Sequence, residues 1–338
     1  MTSSSSVTTP FHEAILTEAR FGLGKSPKSL SPWLFYDEAG SSLFEKITEL
    51  PEYYITRTER AILKENSGEI IQRAAHDQRV LTIVELGAGT ANKTGILLEA
   101  AVRHQNNIVY RPVDVSESAL IEASKAARKN IPGVDVHYQV ADYTREPLSL
   151  DRLAETRILA LYIGSSIGNF TPPQAETVLA NLRAQLLPGD MILLGTDLRP
   201  GPHKSVGDIV RAYDDAEGVT SMFNLNVLAR LNRELGANFS VGRFRHRVRW
   251  NEPECRIEMH LESTQSQVVM IPGSSPIHFD EGQAIHTENS YIISSLSNQS
   301  RSCSIPRPSF QRTFGPTPSR CSRSPWLSHG SVASARRK

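Results

Sequence analysis

Ile83-Val84-Glu85-Leu86-Gly87-Ala88-Gly89-Thr90 decides the fold: a strand-like apolar run passes straight into a glycine bend, and a helical stretch containing Lys93 follows. Glycines at such a bend permit a tight strand-to-helix turn and let a ligand approach the backbone amides at a helix N-terminus. The place of the third glycine in a dinucleotide fingerprint is held by Asn92, which argues against a pyrophosphate ligand. Outward from the bend, short β-branched runs at 81–86, 108–115, 134–140, 158–163 and 191–196 alternate with helical stretches at 93–103, 118–129 and 173–187. That alternation predicts an α/β protein with a doubly wound parallel sheet.

Two further strand ends carry ligand-type groups. The second closes on Asp114, where a carboxylate can accept both hydroxyls of a ribose, and the third on Asp142-Tyr143, a carboxylate beside a ring, which suits an adenine. Each acid alone reads equally well as a turn residue or helix cap. Together with the bend they fit S-adenosylmethionine, a sulfonium that needs a ribose carboxylate and an adenine clamp more than a phosphate cradle. Glu85 adds negative charge beside a cationic cofactor, or else partners a backbone amide.

The rest of the chain bounds the remaining possibilities. It has 338 residues, 39% of them hydrophobic, and 37 basic side chains against 36 acidic ones. A packed core is affordable, and the even charge balance gives no field favouring nucleic acid or an anionic membrane. No apolar run has the length of a membrane span, and the serine-rich start lacks a basic segment followed by an apolar one. A small-molecule substrate and a cytoplasmic, monomeric protein are the expectations. The predicted organisation is a disordered 1–19, an N-terminal part of a second lobe at 20–75, the cofactor domain at 76–200, and the inserted remainder of the lobe at 201–291. In that insert a long helix over 206–235 precedes strands near 243–250, 256–263, 267–271 and 284–291. No acidic residue occurs after Glu288, and 292–338 is rich in serine, arginine and proline without periodicity, which predicts disorder. No histidine or cysteine cluster has metal-ligand spacing, so no metal site is expected.

Several stretches of this sequence resemble one family, the histidine-specific Nα-methyltransferases that make hercynine for ergothioneine synthesis. They include Phe35-Tyr36-Asp37-Glu38, Leu50-Pro51-Glu52-Tyr53-Tyr54, Thr56-Arg57-Thr58-Glu59, Gly164-Ser165-Ser166-Ile167-Gly168-Asn169, Ala212-Tyr213-Asp214-Asp215, Phe223-Asn224-Leu225-Asn226, Arg256-Ile257-Glu258-Met259 and Thr287-Glu288-Asn289-Ser290. The resemblance implies a Rossmann-like class I methyltransferase sheet with a second α+β substrate-binding lobe. It implies cofactor contacts from Gly87, Lys93, Asp114, Asp142 and Tyr143. Tyr53, Asn169 and Tyr213 would hold the backbone end of an amino acid, Tyr36 would stand near the amine, and Tyr36 and Asn169 are the catalytic candidates. Glu288 and Ser290 would grip an imidazole beside Met259. Read without the resemblance, Tyr53 and Tyr213 also serve as core tyrosines and Asn169 as a turn residue, while Met259 is more often strand filler and Glu288 more often a solvated acid.

Retention of Glu288 favours histidine over tryptophan-type substrates, because an acid facing an indole would be a poorly paired buried charge. The alternatives are an N-methyltransferase for a tryptophan derivative, or a cofactor-binding protein impaired by its C-terminus. In the family the chain returns to the sheet after this point, whereas here the resemblance stops near Tyr291. A shifted frame, a misjudged exon boundary or a diverged terminus would each produce such a tail.

Overall fold

The computed structural model describes residues 10–77, 79–89, 93–144, 149–150, 152 and 154–293. They form two compact units, one comprising the chain to Tyr54 with Arg199–Ile292 and the other comprising Ile55–Leu198 with the chain from Ile293. The boundary at Tyr54 corrects the expected one at 75. Helix α3 (Tyr54–Ala74) packs Leu63, Ile71 and Ala74 into the same apolar cluster as the parallel sheet.

The first unit begins with helix α1 (Pro10–Leu23), so the expectation of disorder across 1–19 fails from Pro10 onward. Ile15, Ala19 and Leu23, four residues apart on one helical face, are completely buried. The two-residue strand β1 (Lys28–Ser29) and helix α2 (Glu38–Glu49) follow. Asp37 caps α2 by accepting the Gly40 N–H at 2.7 Å.

In the sheet unit, β2 (Val80–Leu86), helix α4 (Gly95–Gln105), β3 (Ile108–Asp114), helix α5 (Glu117–Asn130), β4 (Val134–Val136), β5 (Gln139–Val140), β6 (Thr156–Tyr162), helix α6 (Pro172–Ala184) and β7 (Met191–Leu194) alternate as predicted. The strand order is β4-β3-β2-β6-β7 with β5 also on β3, and every pairing is parallel. Both faces are covered. Leu81 and Ile83 of β2 enter one cluster with α3 and α4, and Val84 and Leu86 enter the other with Val178 and Leu182 of α6. The chain reverses its strand order at β2, which puts the β2 and β6 ends beside the crevice where open α/β sheets take ligands.

The third strand, expected to be continuous over 134–140, is broken into β4 and β5, and Pro112 explains the break. Tyr110 accepts from the His137 N–H and Asp114 from the Ala141 N–H, so residues of this parity in β3 turn their backbone groups toward the third strand. Pro112 shares that parity and has no N–H to give, so one rung is missing. The register is the same on both sides of the gap, Ile108 with Val134 before it and Val113 with Gln139 after it.

Returning to the first unit, helix α7 (Val206–Tyr213) and helix α8 (Val219–Leu235) replace the single long helix expected. Asp215 forces the division. Its carboxylate accepts the N–H groups of Val219 and Thr220, both at 2.8 Å, and so starts a new helix behind Gly218, whose φ is 73°. Ser205 and Asp208 form a reciprocal capping box at the start of α7.

Strands β8 (Phe244–Asn251), β9 (Arg256–Ser263), β10 (Gln267–Val269), β11 (Ile277–Phe279) and β12 (Ala284–Tyr291) complete the unit. The main sheet runs β1-β12-β9-β8, and β10 and β11 form a separate antiparallel pair. A bulge between His286 and Glu288 resets β12 against β9. Before it Ile285 pairs with Leu261, and after it Glu288 pairs with Met259 and Ser290 with Ile257. Leu261, Met259 and Ile257 all point into the core. The extra residue therefore shifts the inward phase from odd to even numbers and turns Glu288 and Ser290 inward. The expected tail lies outside the described residues beyond Ile293, which bridges Leu198. Among the described residues, no helix is long and apolar enough to cross a membrane.

Candidate active site

In the sheet unit the bend after β2 is made by Gly87 and Gly89, at φ 67° and 49°, a region that penalises any side chain. Gly87 and Ala88 donate to the Val113 carbonyl, and the Gly89 N–H donates to Asp114 Oδ2 at 3.0 Å. The other oxygen of Asp114 accepts from the Ser116 N–H at 3.0 Å. The carboxylate that ends β3 is thus fastened to the glycine bend. A carboxylate has about four lone-pair directions; two are used here, and two remain for the hydroxyls of a diol.

Tyr143 reaches the same bend from the third strand: a Cβ on Gly87 would lie 2.9 Å from its hydroxyl. Its ring meets Tyr162 edge-on with centroids 5.8 Å apart, and burial raises the phenol well above its ordinary pKa. Asp142 behaves as a turn acid, accepting the Thr144 N–H at 3.0 Å and its hydroxyl at 2.5 Å. Thr90 and Asn92 lie outside the described residues.

One expectation changes. Glu85 does not face a cofactor. It is buried beneath the bend, where Thr94 and Tyr110 donate to its two oxygens, each at 2.5 Å. Burial raises its pKa to about 7, against the opposing pull of those two hydrogen bonds and of Lys93. Between the unfolded value of 4.5 and about 7 the folded state holds a proton that the unfolded state has released, so stability falls as pH rises through this window. The loss is on the order of 3 kcal/mol. Urea unfolding at pH 5 and pH 8 should show Glu85→Gln gaining on the wild type by that amount at the higher pH, and parallel behaviour of the two proteins would refute the assignment.

Lys93, expected at the cofactor, is ion-paired with Glu59 of α3. Glu59 also accepts the Gly164 N–H at 2.7 Å just beyond β6. A Cβ on Gly195, just beyond β7, would come within 2.2 Å of its Oε1, so glycine there makes room for it. One carboxylate thus ties α3 to the ends of two strands and to the helix-opening lysine. Sequence reasoning assigned Glu59 no role, although the Thr-Arg-Thr-Glu stretch that contains it was the available signal. Asn169 belongs to this unit and ends the 3-10 helix Ser166–Asn169, entered through Ser165 at φ 61°.

In the other unit, five of the remaining six candidates lie along one path. Tyr36 packs edge-on against Phe44 at 5.8 Å, Phe44 against Tyr53 at 6.3 Å, and Tyr53 against Tyr213 at 6.2 Å. The Tyr213 hydroxyl shares a buried 2.6 Å hydrogen bond with Ser290 Oγ. Glu288 stands two residues from Ser290 on the same face and opposite Met259, the sixth candidate. Glu288 is only 9% exposed, so the reading of a solvated acid fails. Phe44, Phe223 and Phe35 form the aromatic floor of the path, Phe223 stacking on Phe35 at 4.5 Å, and none of the three was singled out as a site residue in the sequence.

The arrangement offers a diol-accepting carboxylate at a glycine bend in one unit, and in the other an acid and paired hydroxyls on an aromatic floor. Residues 15–297 match the family described as "Histidine-specific methyltransferase, SAM-dependent". The chain belongs to this family. Similar relatives include the histidine N-alpha-methyltransferases of Mycolicibacterium smegmatis and Mycobacterium tuberculosis. The first is 43% identical over 82% of this chain and 83% of its own length, the second 42% identical over 82% and 84%. The ergothioneine biosynthesis protein 1 of Schizosaccharomyces pombe is 30% identical over 76% of this chain but only 34% of that protein. The family match runs to residue 297, a few residues past the point where the motifs end.

As a member of the histidine-specific methyltransferases the protein uses S-adenosylmethionine, and the residues at the bend fit it. The spare acceptor capacity of Asp114 suits the ribose, and Tyr143 supplies an aromatic side chain against Gly87.

Proposed function

We propose that this chain transfers methyl groups from S-adenosylmethionine to the α-amine of L-histidine, producing Nα,Nα,Nα-trimethylhistidine, or hercynine, for ergothioneine biosynthesis. The observation that carries the substrate is the inward Glu288, buried beside Ser290 and opposite Met259. The two mycobacterial relatives, both histidine N-alpha-methyltransferases, support the same substrate and the same nitrogen.

Asp114, Gly87, Asp142 and Tyr143 hold the cofactor, and Lys93 stands beside them in its pair with Glu59. When bound, S-adenosylmethionine supplies an electrophilic methyl group. Glu288 accepts an imidazole N–H and Ser290 completes the ring's hydrogen bonding. In the Tyr213–Ser290 pair one hydroxyl donates to the other; with Ser290 donating, Tyr213 keeps its O–H for the α-carboxylate, which Tyr53 also receives, and Ser290 Oγ is left to accept from the ring. An α-amine is mostly protonated near neutral pH, its reference pKa being about 8. Tyr36 at the near end of the path, or a water, is the route by which that proton leaves to solvent before each transfer. The remaining acceleration is positional, with well-oriented groups supplying at most about 7 to 11 kcal/mol.

Incubating the purified protein with S-adenosylmethionine and an equimolar mixture of amino acids tests the reading by mass spectrometry. Histidine should gain three methyl groups. Methylation of tryptophan in preference to histidine, or of nothing despite cofactor binding, would reject it.

A further inference from the structure

His246, a strand residue that this reading of the site does not use, sits behind Tyr213 in a fixed protonation state. Its Nε2 lies 2.9 Å from the carbonyl of Tyr213, which can only accept, so Nε2 carries the hydrogen. Its Nδ1 lies 2.8 Å from the Asn224 side-chain amide nitrogen, which also donates to the His260 carbonyl at 3.1 Å. Turning that amide over would set its oxygen against the His260 carbonyl, so the nitrogen stays where it is and Nδ1 must accept. Asn224 is completely buried, and its own Oδ1 has no hydrogen-bond partner among the described residues. The chain of donors therefore runs one way, from Asn224 to His246 to the backbone of Tyr213.

Tyr213 is the last residue of α7, where helix carbonyls lack partners within the helix. The His246 N–H satisfies one of them and ties the end of α7 to β8. The same residue carries the phenol that bonds to Ser290.

We infer that His246 is a positioning residue for the substrate site, a neutral imidazole that sets where the Tyr213 hydroxyl stands relative to Ser290 and the bound amino acid. The inference rests on the proposed role of Tyr213. Acid should weaken the arrangement, because a proton on Nδ1 would face the Asn224 amide hydrogens. The acidic groups acting on the ring are Asp214 and Asp215 in the turn after α7, while α8 presents the neutral Asn224 and β9 the backbone of His260 and the side chain of Leu261. Burial lowers the pKa of His246 in spite of those two acids and the Tyr213 bond, which keeps the ring neutral at physiological pH.

The test uses the full chain with H246A, H246Q and Y213F, measuring KM for histidine, kcat, and calorimetric affinity for S-adenosylhomocysteine. H246A should raise KM for histidine about tenfold, the scale of one lost hydrogen bond, with cofactor-product affinity unchanged. H246Q, whose amide can donate where Nε2 does, should recover most of the loss. The ratio of wild-type KM to that of H246Q should climb as pH falls below the ordinary imidazole value of 6.5, a comparison in which the titration of the substrate itself cancels. An H246A variant that loses thermal stability but keeps its KM for histidine, or a flat pH ratio, would overturn the inference. Should H246A fail to fold, the H246Q and wild-type pH profiles decide the matter. A Y213F variant with unaltered histidine binding would instead overturn the proposed function of Tyr213, and so separates the two failures.

Discussion

Glu288→Ala is expected to lower kcat/KM for histidine by about 100-fold while leaving affinity for S-adenosylhomocysteine intact. The carboxylate is buried on β12 opposite Met259, so an imidazole N–H in the pocket has a charged acceptor and little water. Hydrogen bonds to charged groups contribute about 1.5 to 3 kcal/mol, and the orphaned imidazole N–H adds its own desolvation cost. Glu288→Gln keeps an acceptor oxygen of the same reach without the charge and should fall between the two. Competition between histidine and tryptophan in one reaction gives the readout. If the alanine variant discriminates between them as the parent does, Glu288 does not read the ring and the substrate assignment fails with it.

Asp114→Ala should weaken S-adenosylhomocysteine binding at least 100-fold by calorimetry. The carboxylate has two duties. It anchors the Gly89 and Ser116 amides, and its remaining lone pairs are the proposed ribose acceptors. Truncation opens the bend and removes the acceptors at once, and two backbone donors losing a partner should lower stability by about 1 to 2 kcal/mol. Asp114→Asn retains one acceptor oxygen, so its bend should hold better than its ribose affinity does. Near-normal binding by the alanine variant would place the adenosine elsewhere and sink the cofactor assignment.

The parallel sheet was legible because its strands are buried on both faces and most are separated by amphipathic crossovers, so hydrophobic runs and helical spacings mark its elements, the break in the third strand excepted. The meeting of Asp114 with the glycine bend was legible for a related reason: a strand-end acid beside such a bend has few places to go. What escaped the sequence depended on partners distant in the chain. Nothing near Lys93 announces that Glu59, on a helix more than thirty residues earlier, will neutralise it. The burial of Glu85 depends on hydroxyls from α4's approach and from β3. Helical spacing over 206–235 concealed the break at Asp215, because the apolar positions resume in phase after it. The N-terminal helix was hidden by its serine-rich flank, although its four-residue apolar spacing was present.

The bulge in β12 has a bearing on how substrate choice can change in this lobe. On one side of it Ile285 packs with Leu261 of β9 in the interior, and on the other Glu288 and Ser290 turn inward as the proposed readers of the substrate. Because the two halves answer to different demands, exchanging the pair at 288 and 290 need not disturb the aliphatic layer that holds the sheet together. Ligand preference can therefore drift by substitution at two alternate positions while the scaffold stays fixed, so a new amino acid could be accommodated without inventing a new fold.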